Sequence, residues 1–360
     1  MVMEREQDLP ELNTGTLIGC VEQRGSAWHR RDDLGTGESN HYPGLIPVEH
    51  VSRRLFHWHP QEAGVAYLVP STLEVGDDAT TPVVWLNGQR FRVVPSQQKR
   101  IGVLRGDNDY DMGVFMSGAK HPPYQVTLIE GAERLVGTQL GISSAGCLMK
   151  GSRAWIEYSM PETLHDDKSG LDYRPNLLKA DSMDGSISHT TALTINATVC
   201  MNTLTWNLLE ASKAGRLVRR KHTTNFGNWN VQDERAALGI LEQVDAEFVS
   251  ELHALIEREV TPAQRIEVMD IIVPLPEKEG RGLTMAENKR DALMALSTDP
   301  AVEPWLGTAF GEFQRYNTYD HWGVTPKGTG RWERNAWRDL SGKRAEFDRQ
   351  IVSAMEMVLT

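Results

Sequence analysis

Basic side chains are unevenly spread along this acidic chain, and where they gather they have the chemistry to hold phosphate. The formal net charge is −11 over 360 residues. From Ala79 to Gly106, however, there is no acid, while Arg90, Arg92, Lys99, Arg100 and Arg105 are present. From Ala211 to Gln232 there is again none, beside Lys213, Arg216, Arg219, Arg220 and Lys221. Guanidinium and ammonium groups bind a nucleic-acid backbone without reading its sequence, and single-strand binders add aromatic rings on which bases stack. Trp85 inside the first window and Trp229 at the end of the second supply such rings. The candidate nucleic-acid-binding residues are therefore Arg90, Arg92, Lys99, Arg100, Arg216, Arg219, Arg220 and Lys221. The bland alternative is that these windows are solvated strand and loop faces. Net acidity argues against coating duplex DNA by charge alone.

Other chemistry-bearing groups fit their motifs poorly. His57 and His59 in Phe56-His57-Trp58-His59 would share one face of a strand as a two-histidine metal corner, but no third ligand is adjacent. Asp107-Asn108-Asp109-Tyr110-Asp111 alternates acids like a calcium loop. Met112 stands where that loop needs glycine, so a solvated turn is the better reading. His165-Asp166-Asp167 is half of a phosphohydrolase pattern in a loop composition. Gly141 to Gly146 is one residue out of step with a nucleophile elbow, and no phosphate loop is present, which points away from ATP-driven action. Cys20, Cys147 and Cys200 are far apart and form no metal or redox pair. A reduced compartment follows, and Cys147 and Cys200, in apparent strands, read as core residues. No catalytic residue, cofactor or metal site is assigned, and an enzyme ranks below a binding protein.

The elements that must position these residues are strands first and helices later. Asn87-Gly88 between PVVWL and QRFRVV predicts a hairpin over residues 82–95, because a type I′ turn needs positive φ at both central positions. A second hairpin is expected around Lys150-Gly151-Ser152-Arg153, and a short helix over Tyr124 to Val136. Thr190 to Cys200 alternates, with Leu193, Ile195, Ala197 and Val199 on one side and Thr190, Thr194, Asn196 and Thr198 on the other. That pattern predicts an antiparallel sheet with one polar face. Helical spacing follows in Met201 to Ala214. It returns in the stripe Leu241, Val244, Phe248, Leu252 and Leu255, and in Phe347, Ile351, Met355 and Val358 of a final helix over Lys343 to Leu359. Thr261-Pro262-Ala263-Gln264 has the form of a capping box, and Thr284 to Glu287 repeats it.

The fold class is accordingly α+β: a mainly antiparallel sheet with helices on one face, followed by a helical C-terminal part. The expected division is 1–59 as an N-terminal segment packing on the core, 60–225 as the sheet core and 226–360 as the helical region. The N-terminus lacks a signal-peptide pattern, and the uncharged stretch Ala192 to Leu209 is studded with Thr and Asn. A cytoplasmic protein with no membrane partner is expected.

Asp184-Gly185-Ser186, the alternating strand and then Val199-Cys200-Met201-Asn202-Thr203-Leu204 resemble the core of the phage/plasmid-like family known as domain of unknown function 932. Ala27-Trp28-His29, Leu34-Gly35-Thr36, His222-Thr223-Thr224-Asn225 and Gly307-Thr308-Ala309-Phe310 are similar to further landmarks of that family. The resemblance implies a mobile-element setting and an accessory role in its DNA metabolism, and it supplies no catalytic residue. By architecture alone the reading is also similar to phage single-strand annealing recombinases, which form rings or helical oligomers, and so a homo-oligomer is expected. Two functions stay open: binding or annealing single-stranded nucleic acid without ATP, and a non-enzymatic interaction with a host or phage protein.

Overall fold

A computed structural model describes residues 17–20, 40–71, 82–130, 140–159, 164–197, 203–204, 217–220, 248–324 and 331–359. The α+β class and the antiparallel sheet follow the sequence pattern. The main sheet has the order β14-β13-β12-β10-β9-β1-β2, with β11 beside β12 and β15 beside β13. Its strands are β1 (Leu17–Cys20), β2 (His41–Tyr42), β9 (Gly141–Leu148), β10 (Arg153–Ser159), β11 (Leu164–Asp166), β12 (Leu171–Ser182), β13 (His189–Ala197), β14 (Thr203–Leu204) and β15 (Leu217–Arg220). All of these pairings are antiparallel except β1 with β2.

Alternation along the central strands decides which side chains enter which core. Ala154, Ile156 and Tyr158 of β10 and Leu171, Tyr173 and Leu177 of β12 belong to the larger apolar core. Helix α1 (Val48–Leu55) contributes Val51 and Leu55 to that core, and the π-helical turn Gln125–Ile129 contributes Leu128 and Ile129. The opposite face presents Leu148, Trp155, Leu178 and Ala180, which pack against Leu340 with Trp337 and Trp322 around them. The centre of the sheet is thus covered on both faces. Thr190 and Thr191 are both buried, so the polar face expected from Thr190 onward begins under cover. The side chains of Leu193 to Ala197 lie outside the described residues.

The C-terminal part is helical: α2 (residues 248–257), α3 (Pro262–Ile272), α4 (Arg281–Ala295), α5 (Ala309–Thr318), a π-helical turn (Tyr319–Gly323), α6 (Arg331–Leu340) and α7 (Lys343–Leu359). Phe248 and Leu252 of the expected stripe are buried, as are Ile351 and Met355 of the final helix. The residues before 248 in that stripe lie outside the described residues, as does most of the expected helix over Met201 to Ala214; its described part, Thr203–Leu204, is corrected to strand β14, paired with β13. Thr261 and Gln264 cap α3 reciprocally, as the sequence indicates. The second capping box is corrected: α4 begins at Arg281 after Gly280, and the Thr284 hydroxyl, one turn inside, donates to the Gly280 carbonyl. The backbone of Gly280, at φ 138°, enters the helix from a conformation that favours glycine. Among the described residues no helix is long and apolar enough to cross a membrane.

Two small sheets complete the fold. One has the order β3-β7-β8, from β3 (Pro60–Gly64), β7 (Arg100–Arg105) and β8 (Asp111–Met116). The other has the order β4-β6-β5, from β4 (Ala66–Pro70), β5 (Val83–Leu86) and β6 (Gln89–Pro95). Only Val65 separates β3 from β4, and Ser96 to Lys99 separate β6 from β7. The two sheets are therefore successive lengths of one β-arm. The first is rooted in the core by Val103 and Met112. No residue of the second is buried.

Candidate nucleic-acid interface

The outer sheet of the arm owes its register to the expected hairpin. Asn87 and Gly88 adopt φ 51° and 77°, the two left-handed positions of a tight turn matching the strand twist. The turn pairs Leu86 with Gln89, Trp85 with Arg90 and Val83 with Arg92, while β4 pairs Val69 with Arg92 and Tyr67 with Val94. Directly paired residues share a face. One face therefore carries Tyr67, Val69, Val83, Trp85, Arg90, Arg92 and Val94. Its two aromatic rings are well exposed, Tyr67 at 52% and Trp85 at 61%. Arg90 and Arg92 lie between them, half-buried, and an Arg90 Nη donates to Ser71 Oγ at 3.3 Å. The reverse face carries Leu68, Val84, Leu86, Phe91 and Val93 and no ionisable group.

The remaining predicted residues are placed elsewhere. Lys99 and Arg100 are exposed at the joint between the two sheets of the arm, where Ser117 N–H donates to the Lys99 carbonyl. Arg219 and Arg220 belong to β15 of the main sheet, in register with Thr190 and His189. Arg216, Lys221 and Trp229 lie outside the described residues. The structure thus gathers Arg90 and Arg92 on one surface, sets Lys99 and Arg100 at its base, and assigns Arg219 and Arg220 to a different sheet. Sequence reasoning overlooked Tyr67. Its signal was the run Ala66 to Pro70, one residue beyond a proline-started strand.

Arg105, the last cation of the first window, is occupied. Its guanidinium is chelated by Asp107 at 2.7 and 2.9 Å, donates to the Lys150 carbonyl and lies 4.8 Å from the Trp58 ring centre. The guanidinium holds the Asp107 carboxyl below its usual range. This chelation fixes the β7–β8 turn, the solvated turn expected for that acidic run. His57 Nε2 also reaches Asp107, at 3.3 Å. His57 and His59 leave α1 in a non-strand segment, which corrects their strand placement, although both are exposed beside buried Phe56 and Trp58. Among the described residues no group of three potential ligands is arranged to hold a metal ion.

The other flagged groups are structural. Asp166 accepts from His253 at 2.8 and 3.0 Å and from Ser169 N–H, tying the β11–β12 turn to α2. Burial raises its pKa, but Ser169 and His253 outweigh that and lower it overall. His165 pairs with Asp172 instead, at 2.7 Å, so the two residues of the apparent motif serve different partners. Gly141 to Gly146 runs within strand β9. Cys147 is buried, and burial pushes its thiol up to about 12, so it is protonated and inert at neutral pH.

The Asp184-Gly185-Ser186 landmark is a tight turn after β12. Gly185 sits at φ 71°, and the Asp184 carboxylate accepts from the Ser186 N–H at 2.9 Å and from Arg153 Nε at 2.8 Å. Arg153 in turn stacks 3.8 Å from the Trp337 ring centre. The motif thus fixes β10, the end of β12 and α6 together.

An antiparallel sheet covered on both faces at its centre, with a helical C-terminal part and an exposed β-arm, defines an α+β protein. Residues 123–339, more than half of the chain, match the model of a family described as a domain of unknown function, DUF932, and the chain belongs to that family. The match begins after the arm and ends within α6. No curated protein and no solved structure gives a significant match.

Proposed function

We propose that this protein binds single-stranded nucleic acid along the outer sheet of the β-arm, as an ATP-independent accessory factor of phage- or plasmid-type DNA metabolism. The observation that carries the reading is the exposure of Tyr67 and Trp85 on the same face as Arg90 and Arg92. Stacking rings beside guanidinium groups are what sequence-independent single-strand recognition requires. Lys99 and Arg100 at the base of the arm extend the basic track, and Arg216, Arg219, Arg220 and Lys221 would add a second one. Strand annealing would follow from holding two such strands in a homo-oligomer. Titration of a fluorescent oligo-dT into the protein at several salt concentrations tests the reading: saturable binding that weakens linearly on a logarithmic salt axis supports it, and no binding at low salt refutes it.

A second reading, interaction with a host or phage protein, is favoured by the reverse face of the same sheet. Leu68 and Leu86 are exposed there at 45% and 47%, without a neighbouring charge on that face. Exposed apolar side chains on an unburied sheet are suited to a protein surface more than to a phosphate backbone.

A further inference from the structure

We propose that Lys289 and Arg338, organised around Asp320 with Arg334 as its second clamp, form a binding site for a phosphoryl group in the helical part of the protein, separate from the arm. The geometry starts from one carboxylate. Asp320 in the π-helical turn accepts from Arg334 Nη2 at 3.0 Å, Arg338 Nε at 3.0 Å and Arg344 Nη1 at 2.9 Å. Arg344 is fully buried and has a second partner, Asp339, at 2.5 Å. Asp339 also acts on Arg338 through charge, so two carboxylates, Asp320 and Asp339, face four cations, Lys289, Arg334, Arg338 and Arg344.

The hydrogen-bond inventory shows which donors remain. Arg334 spends Nη1 on the Asp320 carbonyl and Asn335, both at 2.9 Å. Arg338 is held only through Nε, so among the described residues its two terminal nitrogens have no acceptor. Lys289 Nζ has none either; it lies 5.6 Å from the Tyr319 ring centre. Burial lowers the Lys289 pKa, Asp320 opposes that, and nearby Arg338 adds to the lowering, so the two cations act on each other. Arg338 in turn lies 6.0 Å from the Phe347 ring centre.

A purely structural ion pair needs no surplus of this kind, because unmatched charge in a half-buried space is costly. An incoming anion with several acceptor oxygens relieves it. A phosphoryl group matches a guanidinium fork oriented by its Nε, with an ammonium beside it. Asp320 then acts as the positioning residue: it holds Arg338 through Nε and leaves the two terminal nitrogens for the ligand. Tyr319 and Phe347 would flank the site with rings. Every one of these residues except Phe347 falls within the family segment 123–339, whereas the arm does not. The phosphoryl group could belong to a free small anion or to a nucleic-acid backbone.

Equilibrium dialysis of the full chain against radiolabelled inorganic phosphate, alongside titration with fluorescent oligo-dT, tests the proposal and separates the two sources. The expected result is one phosphate per chain, bound about tenfold or more weakly by Arg338→Gln and by Lys289→Gln, and unchanged by Arg90→Gln. If phosphate does not saturate but oligonucleotide binding falls tenfold in both variants, the site takes a backbone phosphodiester, and the proposal stands with that source. Lys289→Gln, at a half-exposed helix position, keeps the test valid where Arg338→Gln loses stability. Parent-like binding of both ligands by Lys289→Gln, or no binding of either ligand by the parent, overturns the site. Failure of the arm reading shows differently: Arg90→Gln and Trp85→Ala would leave oligonucleotide binding intact, whatever phosphate does.

Discussion

Trp85 and Arg90 stand directly opposite each other across the β5–β6 hairpin, on the same face of an arm that buries neither. Their contributions to nucleic-acid binding separate by salt. Arg90→Gln removes a phosphate contact and should reduce the slope of log affinity against log salt by about 0.7 for a single strand. Trp85→Ala should weaken binding by roughly 1–3 kcal/mol with the slope unchanged, because stacking releases no counterion. Trp85→Ala should not lower the melting temperature measurably, since Trp85 is exposed. Equal slopes in Arg90→Gln and the parent would remove Arg90 from the interface.

The segment around Gly307-Thr308-Ala309-Phe310 makes a sharper stability prediction. Thr308 caps α5, its Oγ accepting from Gly311 N–H at 3.1 Å and donating to the Trp305 carbonyl at 2.8 Å. Thr308→Ala should cost about 1 kcal/mol. At Gly311 a Cβ would stand 2.0 Å from the Trp305 carbonyl oxygen, a backbone atom that cannot swing aside. Gly311→Ala should therefore be the more damaging change, by several kcal/mol or by loss of folding. Urea unfolding of the two variants checks the order; a milder effect at Gly311 would contradict this packing.

Cys147 should resist alkylation. Its thiol is buried and held protonated, so iodoacetamide at pH 8 should label it only after denaturation. Mass spectrometry of the peptide containing Cys147, before and after addition of urea, reads this directly. Rapid labelling of the folded protein would mean that the core around Leu55, whose carbonyl accepts from the thiol at 3.6 Å, opens readily.

What was legible in the sequence is what local rules decide. The Asn87-Gly88 turn, the Thr261 cap and the Lys343 to Leu359 helix depend on residues within a few positions of one another, and the structure has each where local chemistry puts it. Thr284 misled because its capping pattern is local while the true start, Gly280, is set by backbone conformation. The covering of the sheet's second face was illegible at Thr190, because it depends on elements such as α6, about 140 residues away. The same distance hid the Asp320 site: Lys289, Asp320, Arg334 and Arg338 share no spacing, and only the packing of α4, the π-helical turn and α6 brings them together. The basic windows were visible as composition, but composition gave no sign that Asp107 occupies Arg105 while Tyr67 joins Arg90.

Asp348 gives the molecule a pH-dependent stability. It is buried in α7, and burial raises its pKa to about 7 against the opposing pull of Arg344. In the unfolded chain the same carboxyl titrates near its ordinary value of 3.8. Between those two values the folded state holds more protons than the unfolded state, so stability must fall as pH rises through this window. Below about 4 both states are protonated and the residue contributes no penalty; above about 7 the penalty is complete. At about 1.4 kcal/mol per unit, it is of order 2–4 kcal/mol. Asp348→Asn should keep the shape of the neutral carboxyl and abolish this component, leaving the variant close to the parent at pH 4.5 and more stable at pH 8. The comparison of interest is the difference between the two proteins at each pH, since other carboxylates titrate in both. Chemical denaturation at pH 4.5, 6, 7 and 8 measures it. A constant difference across that range would show that Asp348 does not change its protonation on unfolding, and that the carboxylate is fully stabilised beside Arg344.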